Sequence, residues 1–473
     1  MSMDELLLLV RKGARSMSWQ EKLRLTVLLS LPAILAQISS VAMQIIDASM
    51  LGHLGTYESA TVGLVSTTIW LFGGLCSAFA TGFAVQVAHR VGAEELDTAR
   101  NIVRQGIVSC ILFGMLLMII GLSLAPFLPR WLGADRVIWY GASEYFSIVA
   151  LALPFLIIHM LAAASLRCAG NIKVPSLLNV FMCIFDVLFN YIFIFVLDMG
   201  TKGAALGTLV AYLITMFLIL YYLIFRDERL RFSRDRFAGS ASSLLAYVPR
   251  SETLRNVFRI GSPIGLERGV MCGAQIAITS IIAPLGTVAI AANTFGINIE
   301  SLCYMPGYGV AEATTTLVGQ SAGARRKDLM RSFAWMAMGL GMSVMALMGV
   351  LMAVFAPEMM SVVTNDHEVI RLGTDILRIE AWAEPMFAAS IVAYGAFVGS
   401  GNTLVPSLLN LGSIWIVRLS LATILVKTMG LCGVWIAMCI ELCWRGLVFI
   451  VRLYGRSWSQ ESISEVKEEL KNK

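Results

Sequence analysis

The sequence has few charged residues and few histidines, and each shortage excludes a class of protein. Only 14% of the 473 residues are Asp, Glu, Lys or Arg, whereas 58% are hydrophobic. A soluble domain carries roughly 25% charged residues, so the chain is not a soluble globular protein. Its four histidines form no His-x-x-x-His pair, and no phosphate-binding loop ending in Gly-Lys-Ser/Thr occurs. We therefore expect no enzyme, no cofactor and no resident metal ion.

Cysteine usage and net charge point to no further chemistry. Most of the nine cysteines fall within apolar runs. Cys439 and Cys443 are four residues apart on one helix face, which suits neither a disulfide nor, without further ligands, a metal site. The formal net charge of +5 comes from basic residues beside apolar runs, such as the eight arginines of residues 226–259. We expect this segment to lie against lipid headgroups and expect no nucleic-acid partner.

Long apolar runs are what the sequence does contain. Lipid offers the backbone no hydrogen-bond partners, so runs of about 20 apolar residues predict membrane-spanning helices. The predicted fold class is an all-α membrane protein with twelve transmembrane helices in two six-helix lobes. The predicted spans are 27–51, 60–88, 103–123, 144–167, 174–197, 203–225, 256–283, 287–319, 332–355, 372–399, 406–427 and 432–453.

The two lobes are predicted from an internal repeat. The ten residues from Gly170 to Asn179 return 231 residues later, from Gly401 to Asn410, with eight positions identical. The same offset relates Pro32 to Pro263 and other glycines and prolines. We therefore predict a first lobe at 1–225, a cytoplasmic linker at 226–255 and a second lobe at 256–473. Duplication in so apolar a chain is typical of transporters with a central cavity.

Basic residues predict the orientation. Lys and Arg cluster before the first span, between spans 2 and 3, and at the equivalent place in the second half, whereas the alternate loops are poor in them. By the positive-inside rule, both termini are cytoplasmic. We expect a multi-pass protein of the cell (inner) membrane that is monomeric and has only the lipid bilayer and its substrates as partners.

Acidic residues inside the predicted spans are the leading functional candidates, because an isolated charge in lipid is costly. Asp47 lies in span 1, and Asp186 lies in span 5 with Asn190 one turn later. Asp47 and Asp186 have no counterparts in the second lobe, where Ile278 and Val417 stand at the offset positions. We therefore expect the first lobe to handle a coupling ion.

The second lobe has a different polar set, for which the sequence leaves two roles open. Glu267, Glu300, Glu312, Glu380 and Glu384 either line a cavity or pair structurally. Glu441 could pair with Arg445 at i+4 or with Arg418. We assign Gln44, Glu267, Glu300 and Tyr304 to the substrate cavity. Met305 to Gly309 are expected to interrupt span 8, and Pro32 and Pro306 mark places where helices can bend.

Three motifs carry a family resemblance: Pro32 followed by Ile45 to Gly55 around Asp47, Val318 to Ala324, and the Gly-Asn-x-x-Val-Pro stretch that occurs twice. With these segments the chain resembles the multidrug and toxic compound extrusion (MATE) transporters over essentially its full length. The resemblance implies export of organic cations in exchange for inward H⁺ or Na⁺.

The resemblance also implies roles for individual residues. Asp47 matches the acid of helix 1 used for cation coupling, and Pro32 matches a proline at which that helix bends. The DinF-like branch has Asn and then Asp on helix 5, whereas this chain has Asp186 and then Asn190. Thr208 is similar to a helix 6 threonine near that site. A Na⁺ ion could then bind at Asp47 and Asp186. Where the NorM-like branch has an acid on helix 7, this chain has Cys272.

Two other functions stay open from the sequence. A flippase for lipid-linked saccharides should line its cavity with Lys and Arg, and the interiors of spans 1 and 2 have none. An ion channel is the alternative from a different class.

Overall fold

The helices of the protein follow from its apolar runs, in which every backbone group must bond within its own segment. The computed structural model describes residues 2–12, 16–133, 135–232 and 247–462, apart from the side chain of Thr56. Residues 233–246 of the predicted linker lie outside the described residues, as does the tail after residue 462.

The described chain is almost entirely helical. Its α-helices are α1 Met3–Lys12, α2 Trp19–Leu54, α3 Thr56–Gly92, α4 Leu96–Leu124, α5 Leu128–Trp131, α6 Arg136–Cys168, α7 Lys173–Tyr191, α8 Gly200–Tyr221, α9 Ser251–Ile282, α10 Thr287–Gly323, α11 Lys327–Val363, α12 His367–Glu380, α13 Glu384–Gly399, α14 Leu404–Gly412 and α15 Leu419–Tyr454. Short π-helical turns, Ile192–Val196, Tyr222–Arg226 and Ser413–Arg418, extend α7, α8 and α14.

These helices account for all twelve predicted spans and confirm the fold class. Nine segments of the described chain are long and apolar enough to cross a membrane. One of them, Leu404–Tyr454, holds the last two predicted spans, which separate at Gly430, where the backbone leaves the helical region (φ 57, ψ −135). The pair α12 and α13, bent by 58°, forms another span. The more polar helix α10 completes the set.

The two prolines at which we predict helix bending lie inside helices that continue past them. Helix α2 runs unbroken through Pro32, and α10 runs unbroken through Pro306. The predicted interruption at Met305 to Gly309 is therefore wrong. Glycine at 307 and 309 serves close packing instead, since an added Cβ at Gly309 would lie 2.6 Å from the backbone nitrogen of Ile34. Bending at either proline stays a prediction.

The internal repeat is visible in the backbone. Positive φ angles recur at the 231-residue offset: Gly55 (146°) with Gly286 (95°), Glu94 (60°) with Arg325 (57°), and Gly170 (98°) with Gly401 (85°). The turns also use equivalent hydrogen bonds, for example from the Gly170 amide to the Arg167 carbonyl and from the Gly401 amide to the Val398 carbonyl. A left-handed turn has strict backbone requirements, so its recurrence supports a duplicated scaffold.

Ser39–Gly265 forms one compact unit. Helix α6 is its centre and packs against α3, α4 and α8. The contact with α4 is close because Gly114 leaves room for Pro154: an added Cβ would lie 2.8 Å from the Pro154 Cα. Phe83, Phe146 and Ile157 are fully buried in this core.

The residues up to Ile38 and those from Leu266 onward form the second compact unit. Helices α10, α11 and α13 pack against one another at its centre. The amphipathic helix α1 also belongs here: it buries Leu6, Leu7 and Val10, and the Arg11 Nε donates to Gln320 Oε1 at 3.1 Å. The predicted first lobe includes residues 1–38, which belong to this second unit, and the predicted second lobe includes residues 256–265, which belong to the Ser39–Gly265 unit. The predicted lobe limits stay a prediction.

Candidate functional site

Three of the four predicted ion-coupling residues form one hydrogen-bonded cluster in the Ser39–Gly265 unit. The side-chain amide of Asn190 donates to Asp47 Oδ1 at 2.9 Å and to Asp186 Oδ2 at 3.0 Å. A single amide group thus bridges two carboxyl groups from different helices, Asp47 of α2 and Asp186 of α7. Asp186 is fully buried, Asn190 is 1% exposed and Asp47 is half-buried.

Local sequence explains how the cluster fits between helices. Asp186 and Asn190 are four residues apart, so their side chains lie on one face of α7. Helix α8 meets that face with Gly207, where any Cβ would collide with the Asn190 side chain. Glycine is therefore required for the amide to reach both carboxyls. Thr208 follows on α8, half-buried, beside the Asp186 carboxyl.

The cluster keeps unused acceptors in an apolar setting. Within the described chain, Asp186 Oδ1 and Asn190 Oδ1 are buried and accept no hydrogen bond. Met43, Met182, Cys183 and Ala211 pack close by, on the same helices. A buried oxygen that accepts no hydrogen bond costs free energy. A cation or a proton bound here would interact with these oxygens and remove that cost.

Glu267 is held by partners that sequence reasoning missed. Its carboxylate accepts hydrogen bonds from the Tyr394 hydroxyl (2.7 Å) and from Asn410 Nδ2 (2.7 Å), and the residue is 8% exposed. The repeat carried the signal for one of them. Asn410 is the second copy of Asn179, whose amide donates to Ser40 at 2.9 Å. In each unit, the repeated asparagine binds the first long helix of its half.

The predicted pairing of Glu441 is confirmed. Its carboxylate accepts from Arg418 at 2.6 and 3.0 Å and lies 3.2 Å from Arg445 Nε. The Ser413 hydroxyl also donates to it at 2.5 Å. Removing one partner of such a buried network would leave an uncompensated charge, which is strongly destabilising. Glu441 is therefore structural.

Three other glutamates converge, two of them four residues apart and the third from a distant helix. Glu300 of α10, Glu380 of α12 and Glu384 of α13 are 5%, 1% and 1% exposed. They interact electrostatically, with both Glu380 and Glu384 beside Glu300. All four carboxyl oxygens of Glu380 and Glu384 are buried and accept no hydrogen bond from the described residues. Glu380 and Glu384 are four residues apart, a spacing that places two side chains on one helix face, whereas no spacing rule predicts their approach to Glu300 of α10.

The remaining predicted residues are placed as follows. Gln44 is exposed on α2. Tyr304 stacks edge-on against Tyr308 at 6.0 Å and against Phe387 at 5.5 Å. Glu312 accepts a hydrogen bond from Gln37 at 3.1 Å. In the described ranges, no three His, Cys, Asp or Glu side chains are grouped to hold a metal ion.

A nucleophile-elbow spacing also occurs in the chain and carries no chemistry. Gly319 to Gly323 read Gly-x-Ser-x-Gly, but they lie within helix α10. Ser321 is fully buried and its hydroxyl donates to the Leu317 carbonyl at 2.7 Å. A nucleophile requires an exposed hydroxyl on a strand-to-helix turn, which this serine lacks.

Comparison with known proteins agrees with this architecture. The MatE family model matches residues 32–192 and again 263–424. "Probable multidrug resistance protein NorM" of Thermotoga maritima is 24% identical over 441 residues, with 92% of this chain and 93% of that protein covered. Its counterpart in Chromobacterium violaceum is 28% identical over 440 residues, with 89% and 91% covered.

Solved structures show the same fold. A transporter of the MOP superfamily from Pyrococcus furiosus superposes with a TM-score of 0.86 at 22% identity, covering 98% of each chain. A MATE transporter of Vibrio cholerae gives a TM-score of 0.84 at 17% identity, covering 94% of this chain and 98% of that one. The two family matches begin 231 residues apart, at the offset of the internal repeat. The chain belongs to the MatE family and is a multi-pass membrane transporter of that family, not an enzyme.

Proposed function

We propose that this protein is an antiporter that exports organic cations, drugs and dyes among them, in exchange for inward H⁺ or Na⁺. The observation that carries the proposal is the bridging of Asp47 and Asp186 by the Asn190 amide within membrane-spanning helices. Acids at membrane depth are costly and mark ion pathways. The names of the multidrug-resistance relatives support the substrate class.

The coupling step follows from the electrostatics of the cluster. Two ionised carboxylates side by side repel one another, and a bound H⁺ or Na⁺ removes that repulsion. The amide of Asn190 holds both acids in place whether the ion is bound or not. Asp47 is the half-buried member, so an arriving ion meets it first, while Asp186 supplies the inner oxygens.

Exchange requires that ion and drug favour different states of the protein. With the ion released, the negative charge attracts a lipophilic cation. Aromatic faces such as Tyr304 and Phe387 can hold such a cation by cation–π contact. Gln44, Glu267 and Glu300 stay candidates for substrate contact. Thr208 is the proposed neighbour that stabilises the Asp186 carboxyl.

We place the protein in the cell (inner) membrane as a monomer with both termini in the cytoplasm. The bias of Lys and Arg towards alternate loops supports this orientation. Export from the cytoplasm then needs an ion moving inward through the same carrier. No nucleic-acid partner and no cofactor are proposed.

Dye uptake into inside-out membrane vesicles tests the proposal and identifies the ion. Ethidium should accumulate when the lumen is made acidic, or when it is loaded with Na⁺, but not in vesicles without a gradient. Asp47→Asn should lower this uptake by about tenfold or more, because it removes the charge and keeps the size of the side chain. Asp97→Asn is the matched control, since the Asp97 side chain is 68% exposed at the start of α4.

Two outcomes of this experiment would contradict the proposal. Normal gradient-driven uptake by Asp47→Asn would refute the coupling role of this residue. Uptake that follows neither gradient in the unmodified protein would refute the antiport proposal itself.

A further inference from the structure

A histidine is buried in the Ser39–Gly265 unit, close to the ion site but outside it. His159 of α6 is 6% exposed, and its Nδ1 makes no hydrogen bond to any described residue. The backbone of Thr215 on α8 lies beside the imidazole. An imidazole can accept a proton on one nitrogen while it gives one up from the other. His159 is therefore equipped to pass a proton through the helix core.

A tyrosine connects this histidine to the acid pair, Asp47 and Asp186. The rings of His159 and Tyr212 meet edge to face, with their centroids 6.3 Å apart. Tyr212 interacts electrostatically with both carboxyl groups and packs against the apolar side chains beside them. Thr208, which contacts the Asp186 carboxyl, lies one turn before Tyr212 on the same face of α8. Tyr212 thus has the acid pair on one side and the imidazole on the other.

These groups are ordered along the helices towards one end of the unit. At about 1.5 Å per residue, Asp186 lies roughly 20 Å from the first residue of α7, and His159 lies roughly 14 Å from the last residue of α6. Ser165 and Ser176 lie within one turn of this end, and both are buried with hydroxyl groups that make no hydrogen bond in the described chain. In the proposed orientation this end is the cytoplasmic one.

The titratable groups around His159 leave its proton mobile. Arg167, nearer the end of the same helix, is the charged residue that interacts with the imidazole. Helices α3 and α4, which pack against α6, contribute the buried thiols of Cys76 and Cys110 to this core. A carboxylate partner would retain the proton as an ion pair, and among the described residues His159 has no such partner.

We propose that Tyr212 and His159 carry protons from the acid pair to the cytoplasmic end of this unit, which makes H⁺ the coupling ion. The Asp186 carboxyl gives its proton to the Tyr212 hydroxyl oxygen while that hydroxyl gives its own proton to the imidazole. The imidazole releases a proton from its other nitrogen to cytoplasmic water. Asp186 ends as a carboxylate, and both rings end neutral. This inference rests on the proposed antiport and names its ion and its exit route.

The contact between the two rings is the switch of this route. A proton passes only along hydrogen bonds, and in this conformation the rings meet at an edge without one. A route connected in every state would let protons cross without drug, whereas exchange requires that ion and drug favour different states. The hydroxyl and the imidazole must therefore meet only in the state that releases the ion.

Acid-driven uptake and substrate exchange separate proton movement from drug movement. In inside-out vesicles, ethidium uptake driven by an acidic lumen requires protons to leave through the carrier. Exchange of labelled for unlabelled ethidium, at equal alkaline pH on both sides, requires drug movement alone. Both are measured for the unmodified protein, His159→Gln and Tyr212→Phe. The controls are His89→Gln, a buried histidine of α3, and Tyr221→Phe, an exposed tyrosine of α8.

We expect His159→Gln and Tyr212→Phe each to lower acid-driven uptake about tenfold or more and to change exchange less than about threefold. The two controls should change neither measurement. A residue that serves packing alone would alter both measurements alike or leave both unchanged. Normal acid-driven uptake by both variants would therefore overturn the proposal.

If His159→Gln loses both activities, Tyr212→Phe decides, because it keeps the ring and removes one hydroxyl. A phenylalanine variant with normal exchange and weak acid-driven uptake supports the route. Loss of both activities, or of neither, refutes it. In the unmodified protein, uptake that follows Na⁺ and not H⁺ would overturn the route and leave the antiport proposal standing. Uptake that follows neither gradient would refute the antiport proposal and the route with it.

Discussion

At the residue scale, the ion site depends on one asparagine. The inverted order of Asp186 and Asn190 places an amide donor within reach of two carboxyl oxygens. Hydrogen bonds to charged groups contribute roughly 1.5–3 kcal/mol each, so this amide fixes both acids more firmly than packing alone. Gly207 permits the arrangement by leaving space for the amide.

Exchanging the two residues of α7 tests this arrangement. Asp186→Asn alone should lower gradient-driven dye uptake about tenfold or more, because the buried carboxylate is lost. The double variant Asp186→Asn with Asn190→Asp returns a carboxylate to the same helix face and should recover part of the uptake. Proton-dependent ethidium uptake is the measurement, and the melting temperature of each purified variant is the control for folding.

Asn190→Asp alone places three carboxyl groups together without an amide donor. It should therefore melt at a lower temperature than the double variant. Uptake by Asp186→Asn equal to that of the unmodified protein would leave Asp186 with a structural role only.

At the element scale, close helix contacts depend on glycines at a few positions. An added Cβ at Gly395 of α13 would lie 2.6 Å from the Ala311 carbonyl oxygen of α10. The Thr315 hydroxyl donates to the Gly395 carbonyl at 2.9 Å across the same contact. In contrast, nothing lies within 4 Å of the position that a Cβ would take at Gly339 of α11.

The pair Gly395→Ala and Gly339→Ala separates helix propensity from packing. Alanine is favoured over glycine inside a helix by about 1 kcal/mol, so Gly339→Ala should be neutral or stabilising. At Gly395 the clash with backbone outweighs this gain and should cost about 1–3 kcal/mol. Thermal unfolding in detergent measures both, and similar melting temperatures for the two variants would contradict the contact.

At the scale of the whole molecule, a duplicated scaffold carries different chemistry in its two halves. The backbone turns repeat at 231 residues, yet the bridged acids belong to the unit Ser39–Gly265, and the Glu300, Glu380 and Glu384 cluster belongs to the other. Helix packing constrains backbone and small residues in both copies, whereas polar side chains facing water or one another are free to diverge. The prediction that ion coupling resides mainly in the first lobe stays a prediction.

The orientation of the molecule can be tested by labelling two introduced cysteines. Ser240, in the part of the linker outside the described residues, and Ser361, exposed near the end of α11, are each changed to cysteine in a protein without its nine native cysteines. A membrane-impermeant maleimide should label Ser361→Cys in intact cells. It should label Ser240→Cys only after permeabilisation, because Lys and Arg favour the cytoplasmic side. The reverse pattern would invert the topology.

The sequence by itself determined the class, the spans and the duplication. Apolar length predicts membrane helices because lipid forbids unpaired backbone groups, and this rule holds without tertiary context. Periodicity also placed Asp186 and Asn190 on one face, and i+4 spacing gave the pairing of Glu441 with Arg445.

Only the tertiary structure decided which helices bring their polar groups together. The packing of α10 against α12 and α13 brings Glu300 beside Glu380 and Glu384, and the approach of α14 to α9 gives Glu267 the amide of Asn410. Proline and glycine at 306 and 307 suggested a break, but intrahelical hydrogen bonding and packing keep α10 continuous. Contacts between distant segments depend on the packing of whole helices, which local spacing does not encode.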